Sequence, residues 1–238
     1  MSQKPYVSFE MGRCSHCGLC ARVCVGRVID HSAGQVDHPR CIRCGHCIAI
    51  CPEEALSLRT PTDATGTKGD PLRRGAVAPE DFEALAKARR TTRVYVDKPV
   101  PRELIDRLLD LARYAPTGTN SQAAFMTVLS TRDRVSRMSG KIMAFFMRAA
   151  AVFANPVSIA FLYPFLGAKK ARQALGFAER YFGRYENGED VLTHGAPCAV
   201  LFHAPRTAST PDQDCVIQAT SMALHAETLG LGTCFNGF

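Results

Sequence analysis

The sequence predicts an α+β chain in two parts: a small N-terminal domain organised by cysteines, then a larger domain of several helices around a sheet. Three observations lead there. Eight of the eleven cysteines lie between Cys14 and Cys51. Residues Thr60 to Ala78 are largely Thr, Gly, Pro, Asp and Lys with almost no large apolar residue, which is linker composition. Beyond the linker, helical apolar spacing and short apolar runs mix without regular βαβ alternation. The domains therefore read as residues 1–59, a linker at 60–78, and residues 79–238.

The N-terminal part is an internal repeat. Cys14, Cys17, Cys20 and Cys24 recur as Cys41, Cys44, Cys47 and Cys51, each displaced by 27 positions, and Cys17-Gly18 recurs as Cys44-Gly45. Each half reads C-x2-C-x2-C-x3-C, with Pro52 after the second. Three thiolates at this spacing on a tight loop can wrap three corners of a cubane. The fourth, on a short helix, points to the other cluster. The spacing thus assigns Cys14, Cys17, Cys20 and Cys51 to one [4Fe-4S] cluster and Cys41, Cys44, Cys47 and Cys24 to a second. Structural zinc is the alternative, but it prefers pairs of C-x2-C ligands. His16 and His46 sit inside the loops and are surplus to a complete cysteine set. Arg27-Val28-Ile29 and Gln35-Val36-Asp37 flank a turn at His31–Gly34 and read as a hairpin, with Leu56-Ser57-Leu58 as a closing strand. This two-cluster pattern resembles the bacterial-type ferredoxins. Val25 stands where their pattern often has proline.

Composition limits the remainder. With 46% hydrophobic and 21% charged residues the chain is far from disorder. A net charge of +7, spread over short runs such as Arg89-Arg90 and Lys169-Lys170, suits local anions better than nucleic acid, and no nucleic-acid partner is expected. The N-terminus lacks a secretory pattern. The apolar stretch Ile142–Leu166 is broken by Arg148, Asn155, Pro156 and Pro164, so no membrane span is expected. Cysteines in this setting point to metal ligation in a reducing, cytoplasmic compartment.

In the second domain Pro79 opens a helix carrying Phe82, Leu85 and Ala86, and Pro101 opens another with Leu104, Ile105, Leu108, Leu109 and Ala112 on one face. Strands are expected at Phe125–Leu129 and Pro197–His203. Helices are expected at Lys169–Tyr185 and at Pro211–Leu229, the latter with Thr210 as N-cap. The segment Phe145–Phe165 is a core or dimer-interface helix on one reading and the wall of a pocket for flat apolar molecules on another.

Three stretches carry chemistry. Arg89-Arg90-Thr91-Thr92-Arg93 joins guanidiniums to hydroxyls and suits a phosphate, or else is a basic helix end favoured by the helix dipole. Ala115–Gln122 is a small-residue loop ending in two amides that could address a heteroaromatic ring, or a plain polar turn. Gly230–Gly237 is a glycine-rich helix exit, or an ordinary C-cap.

In this order the three stretches resemble the nitroreductase family of FMN-dependent oxidoreductases. The family's R-R-S-x-R element is matched by Arg89, Arg90, Thr91 and Arg93, which implies contacts to the FMN phosphate. Its A-P-S/T-x-x-N-x-Q loop is matched by Ala115, Pro116, Thr117, Asn120 and Gln122, and its G-L-G-T/S-C exit runs through Cys234 to Asn236 and Gly237; both imply flavin contacts. Gly195-Ala196-Pro197 is also familiar from the family. The usual Pro-Trp after the amide loop is replaced by Ala123-Ala124. The family continues beyond the glycine exit with a further helix, strand and basic residues, so the resemblance implies a chain truncated at Phe238.

The resemblance implies a ferredoxin-type domain joined to a nitroreductase-like FMN domain. It also implies a homodimer with FMN sites between subunits, an electron donor such as reduced ferredoxin or NAD(P)H, and a nitroaromatic, quinone or similar conjugated acceptor. The flavin carries the chemistry, so no catalytic side chain is expected. Cys198 and Cys215 read as core residues, and His194 and His203 as hydrogen-bonding groups at strand ends. The alternatives are an electron-transfer module serving a protein partner without small-molecule turnover, and an enzyme of another flavin-linked reaction on the same fold.

Overall fold

A computed structural model of the 238-residue chain describes residues 6–59, 77–154, 176 and 180–236. The chain divides into two compact units. One comprises the residues up to Asp81 together with Pro116–Gln122; the other comprises Phe82–Ala115 and Ala123 onward.

The first unit is built as two copies of one turn. Strand β1 (Tyr6–Phe9) pairs antiparallel with β4 (Leu56–Arg59), and β2 (Ile29–Asp30) pairs with β3 (Gln35–Val36) in the expected hairpin. Helices α1 (Leu19–Val23) and α2 (His46–Ile50) sit at equivalent places in the repeat and pack on each other. The repeat extends to the backbone angles. Gly18 and Gly45 have φ of 70° and 73°, His16 and Arg43 55° and 56°, and Arg27 and Glu54 both 49°. L side chains seldom adopt such angles, so their recurrence at matching positions shows that the two loops share one shape. The turn after Cys24 closes without a proline: Arg27 N donates to Cys24 O at 3.0 Å, as Glu54 N does to Cys51 O at 3.3 Å. Val7, Cys20, Cys47 and Leu56 form a small core, flanked by Phe9, Ile29, Val36 and Ile48. Two of these four core residues are cysteines.

The second unit mixes helices with a two-stranded antiparallel ladder, β5 (Phe125–Leu129) on β6 (Ala199–His203), register Phe125 to His203. Its helices are α3 (Pro79–Ala88), which straddles the division in sequence, α4 (Arg102–Ala112), α5 (Arg132–Ala154), a helix at 180–186, here α6, and α7 (Pro211–Thr228). Ile105 and Ala112 of α4 are buried, α4 packs on α7, and α7 packs on β6. The Phe82 face of α3 departs from its amphipathic pattern, with Phe82 55% exposed. Thr210 is the N-cap of α7, but its hydroxyl donates to Asp214 Oδ1 at 2.8 Å instead of capping a backbone N–H. Met143, Val191 and Leu192 form a core with Ile142, Tyr181, Phe182 and Tyr185.

Of the helix expected at Lys169–Tyr185, residue 176 and residues 180–185 fall among the described residues; all are helical, and the helix at 180 runs on to residue 186. The pocket-wall reading of Phe161 and Phe165 lies outside the described residues, as do 60–76 of the expected linker and Gly237. Among the described residues no helix is long and apolar enough to cross a membrane.

Candidate functional site

The cysteine loops come first. Each half of the repeat aims two backbone N–H groups at sulfur. His16 N reaches Cys14 Sγ at 3.3 Å and Arg43 N reaches Cys41 Sγ at 3.4 Å. Val28 N reaches Cys24 Sγ at 3.5 Å and Ala55 N reaches Cys51 Sγ at 3.3 Å. The left-handed turn at His16 and Arg43 is what points each amide back at the preceding cysteine. The two histidine rings take no part: His16 acts through its main chain, and both side chains are exposed.

Electrostatics show how the thiols group. Burial pushes the Cys20 thiol up, and the charges of Cys51 and Cys14 add to that. Burial likewise pushes Cys47 up, to about 11, with further contributions from Cys44, Cys41 and Cys24. Each buried thiol therefore neighbours cysteines of its own loop and one from the other half of the repeat. Cys24, Cys41, Cys44 and Cys47 also line one cavity, walled by Val7, Val28, Ile29 and Val36. Mutual elevation among thiols disfavours several thiolates together unless a cation is shared between them. Among the described residues no three such side chains converge on a single-ion site. A cubane gives each thiolate its own iron, so its ligands are spread around it and need not converge on one point. Soft thiolates, inward N–H donors and apolar walls fit an iron–sulfur cluster.

In the second unit the first and third chemistry-bearing stretches meet. Thr91 forms a parallel bridge with Thr233, and Thr92 N donates to Thr233 O at 2.9 Å. The helix exit into this seam is shaped by glycine. Gly230, at φ 70°, ends α7, with Leu231 N donating to Ala226 O at 2.9 Å. A Cβ on Gly232 would lie 2.8 Å from Thr92 Cβ, so the close approach of the two segments requires glycine there.

Two polar side-chain atoms on these stretches, Arg89 Nη1 and Thr233 Oγ1, are buried with no hydrogen-bond partner among the described residues. A bound ligand is one way such atoms are satisfied. A guanidinium nitrogen and a hydroxyl along paired backbone suit phosphate oxygens, so these residues fit the phosphate end of a flavin mononucleotide. Arg90 Nη1 donates to the carbonyls of Lys87 and Arg89 at the end of α3. Arg93 acts on Tyr95, a residue the sequence reading left aside. Burial lifts the Tyr95 phenol to about 12, the charge of Cys234 adds to this, and Arg93 opposes it, while its O–H donates to Thr92 O at 2.9 Å. The sequence offered only a tyrosine between two valines, with nothing to say that it would be the buried one of the three.

Asn236 is tied into the same unit, Nδ2 donating to Leu192 O at 2.6 Å. Leu192 belongs to a turn built around Asp190, which accepts from Ser139 Oγ (2.7 Å) and from the backbone N–H groups of Leu192, Thr193 and Gly195, as well as from the Thr193 hydroxyl. Burial alone would raise the Asp190 carboxyl, but these hydrogen bonds outweigh it and hold the group below its ordinary value. Among the remaining histidines, His203 stacks on Phe125 and its Nε2 meets Thr127 Oγ1 at 3.0 Å.

The amide loop falls in the other unit. Pro116–Gln122 belongs to the cysteine-bearing unit. Thr117 Oγ1 accepts from Gln122 N at 3.0 Å, and Thr119, Asn120 and Gln122 all have φ near 50°. Asn120 Nδ2 donates to both Ile42 O and Arg43 O at 2.9 Å.

Comparison with known proteins matches the Nitroreductase family over residues 86–238 and a 4Fe-4S dicluster domain over residues 6–52. A 4-nitrobenzoate reductase of Pseudomonas putida is 36% identical over 55 residues, covering 23% of this chain and 24% of that protein. A putative NADH dehydrogenase/NAD(P)H nitroreductase of Methanothermobacter thermautotrophicus is 33% identical over 64 residues, covering 27% and 34%. The chain thus spans only about a quarter to a third of these relatives' lengths. An FMN-dependent nitroreductase structure from Clostridium difficile R20291 aligns with a TM-score of 0.46 and 19% identity over 68% of this chain and 62% of that one. The family match covers most of the chain: it belongs to the nitroreductase family, with a 4Fe-4S dicluster domain ahead of the family's own.

Proposed function

We propose that the chain is an iron–sulfur flavoprotein oxidoreductase passing electrons through two [4Fe-4S] clusters to FMN and on to a nitroaromatic, quinone or similar conjugated acceptor. Cys14, Cys17, Cys20 and Cys51 hold one cluster, and Cys24, Cys41, Cys44 and Cys47 the other. Arg89, Arg90, Thr91 and Arg93 serve the FMN phosphate, while Pro116, Thr117, Gln122, Cys234, Asn236 and Gly237, together with the side-chain oxygen of Asn120, serve the rest of the flavin. The domains run over 1–59 and 79–238, and the working form is a homodimer fed by reduced ferredoxin or NAD(P)H.

One observation carries this reading: the Arg89–Thr92 stretch pairs with Thr233, and Arg89 Nη1 and Thr233 Oγ1 are buried without partners among the described residues, on the same chain as the two thiol sets. Clusters exchange single electrons, and a bound flavin takes one or two, which matches one-electron donors to two-electron acceptors. The residues have simpler tasks. The thiolates and their N–H donors hold charge in an apolar wall. Arg89 and Thr233 supply donors to an anion, and Gly232 lets the two segments close on each other. The related reductase names support nitroaromatic acceptors.

The test is an iron, sulfide and flavin count on anaerobically purified protein, followed by turnover of a nitroaromatic and quinone panel with dithionite or NAD(P)H. About eight irons and one FMN per chain, with turnover, are expected. Full iron without FMN leaves an electron carrier and sinks the flavoenzyme reading.

A further inference from the structure

The repeat is nearly symmetric in its cysteine loops, but one side chain, bonded to two carbonyls of the second loop, breaks the symmetry. In both loops the peptide after the x1 residue donates its N–H to the first cysteine: the Ser15–His16 peptide to Cys14 Sγ and the Ile42–Arg43 peptide to Cys41 Sγ. The carbonyl oxygen on the far side of the second of these peptides, Ile42 O, accepts from Asn120 Nδ2 at 2.9 Å, and the same nitrogen spans to Arg43 O at 2.9 Å. No described residue bonds the Ser15 carbonyl. Asn120 comes from a loop distant in sequence, held by the Thr117 hydroxyl and by three left-handed residues.

We propose that Asn120 is a positioning residue for the cluster of Cys24, Cys41, Cys44 and Cys47, and that it makes this cluster the more readily reduced of the two. The inference rests on the two-cluster reading above. The path is a continuous chain: Asn120 N–H to the Ile42 carbonyl, through that peptide, and from the Arg43 N–H to Cys41 sulfur. Donation to a peptide's carbonyl polarises its N–H, and consecutive hydrogen bonds strengthen one another. A stronger donor on a ligating sulfur favours the reduced cluster, which carries one more negative charge, and so raises its potential. The second donation, to Arg43 O, fixes the next peptide and keeps Arg43 in the left-handed turn that aims its N–H at sulfur. The first loop has the same N–H···S bond without this support, and that difference sets the two loops apart.

The test is an anaerobic redox titration of the holoprotein followed by electron paramagnetic resonance of the reduced clusters, with Asn120→Gly and Asn120→Asp as variants. Both tolerate the φ of 53° at this position and both remove the donor, so the loop backbone is not itself the variable. Cys44→Ser identifies which signal belongs to the second cluster. The expected result is two potentials in the native protein, the higher belonging to the tagged cluster. In either variant the equilibrium constant for reducing that cluster falls about three- to tenfold, a tenfold change being 59 mV for one electron, with the other signal unmoved. Unshifted potentials in both variants, or a shift confined to the untagged signal, overturn the inference. An iron content short of two clusters overturns the two-cluster reading together with it, whereas full iron with unshifted potentials overturns this inference alone.

Discussion

Asp190 shows what a single carboxylate does for a turn. Five donors converge on it, three of them backbone N–H groups that would otherwise lack partners in the 190–195 turn. Because its folded pKa lies below the ordinary 3.8, its contribution is whole above that pH and is lost as the pH falls through the lower folded value. Asp190→Asn should cost about 2 kcal/mol at neutral pH, since bonds to a charged acceptor are the stronger kind, and should flatten the stability profile below pH 4; urea unfolding across pH measures both. Gly232 is a second residue whose chemistry is its size. Gly232→Ala places a methyl against Thr92 and should cost about 1–3 kcal/mol by overpacking. It should also weaken FMN binding on the proposed reading, checked by flavin fluorescence titration. An unchanged stability would mean that the seam opens freely.

At the scale of elements, local pattern was legible where an element's partners lay on its own sequence rhythm. The β5 bounds were read directly, and β6 and α7 to within two residues, because an apolar run between polar ends and a Thr-Pro start are local signals. The strand β1 was missed since Tyr6–Phe9 is only four residues and is defined by pairing with β4, some fifty positions later. The α3 face was read as apolar from Phe82, Leu85 and Ala86, yet spacing reports amphipathicity and not whether another element covers it. The cysteine helices were legible through the cysteine spacing, which set the fourth cysteine of each run on a short helix, and each begins after a left-handed glycine. Gly45→Ala meets no neighbouring atom, so its cost is conformational, about 1–2 kcal/mol for a left-handed residue. Gly18→Ala adds a 3.3 Å approach to His31 Nε2 and should be the more damaging of the two. Rates of iron release to a chelator, compared between the two variants, check that order.

For the whole molecule, the two units have separate cores, and one of them consists half of thiols. On the cluster reading, stripping iron with a chelator under oxidising conditions should unfold the first unit while the helices of the second persist. Circular dichroism would then show a partial loss of structure, and proteolysis would begin within residues 6–59. A single all-or-none loss would refute that independence. Of the candidate site, the dicluster domain was legible in the sequence, since the cysteine spacing is a local repeat; the two ligand sets drawn from that spacing belong to the proposal. The meeting of Thr91 with Thr233 was not legible, because a bridge between segments 142 positions apart leaves no trace in either. Nor was the setting of Asn120, whose amide serves a carbonyl as readily as a ring. That last pairing distributes constraint unevenly along the chain. The acceptors at positions 42 and 43 are main-chain oxygens, so drift in either side chain leaves them in place, while at position 120 only a forked donor of the right length preserves both bonds. A chimera importing a foreign cysteine cassette of the same loop shape would keep the pairing; a conservative exchange of one asparagine would end it.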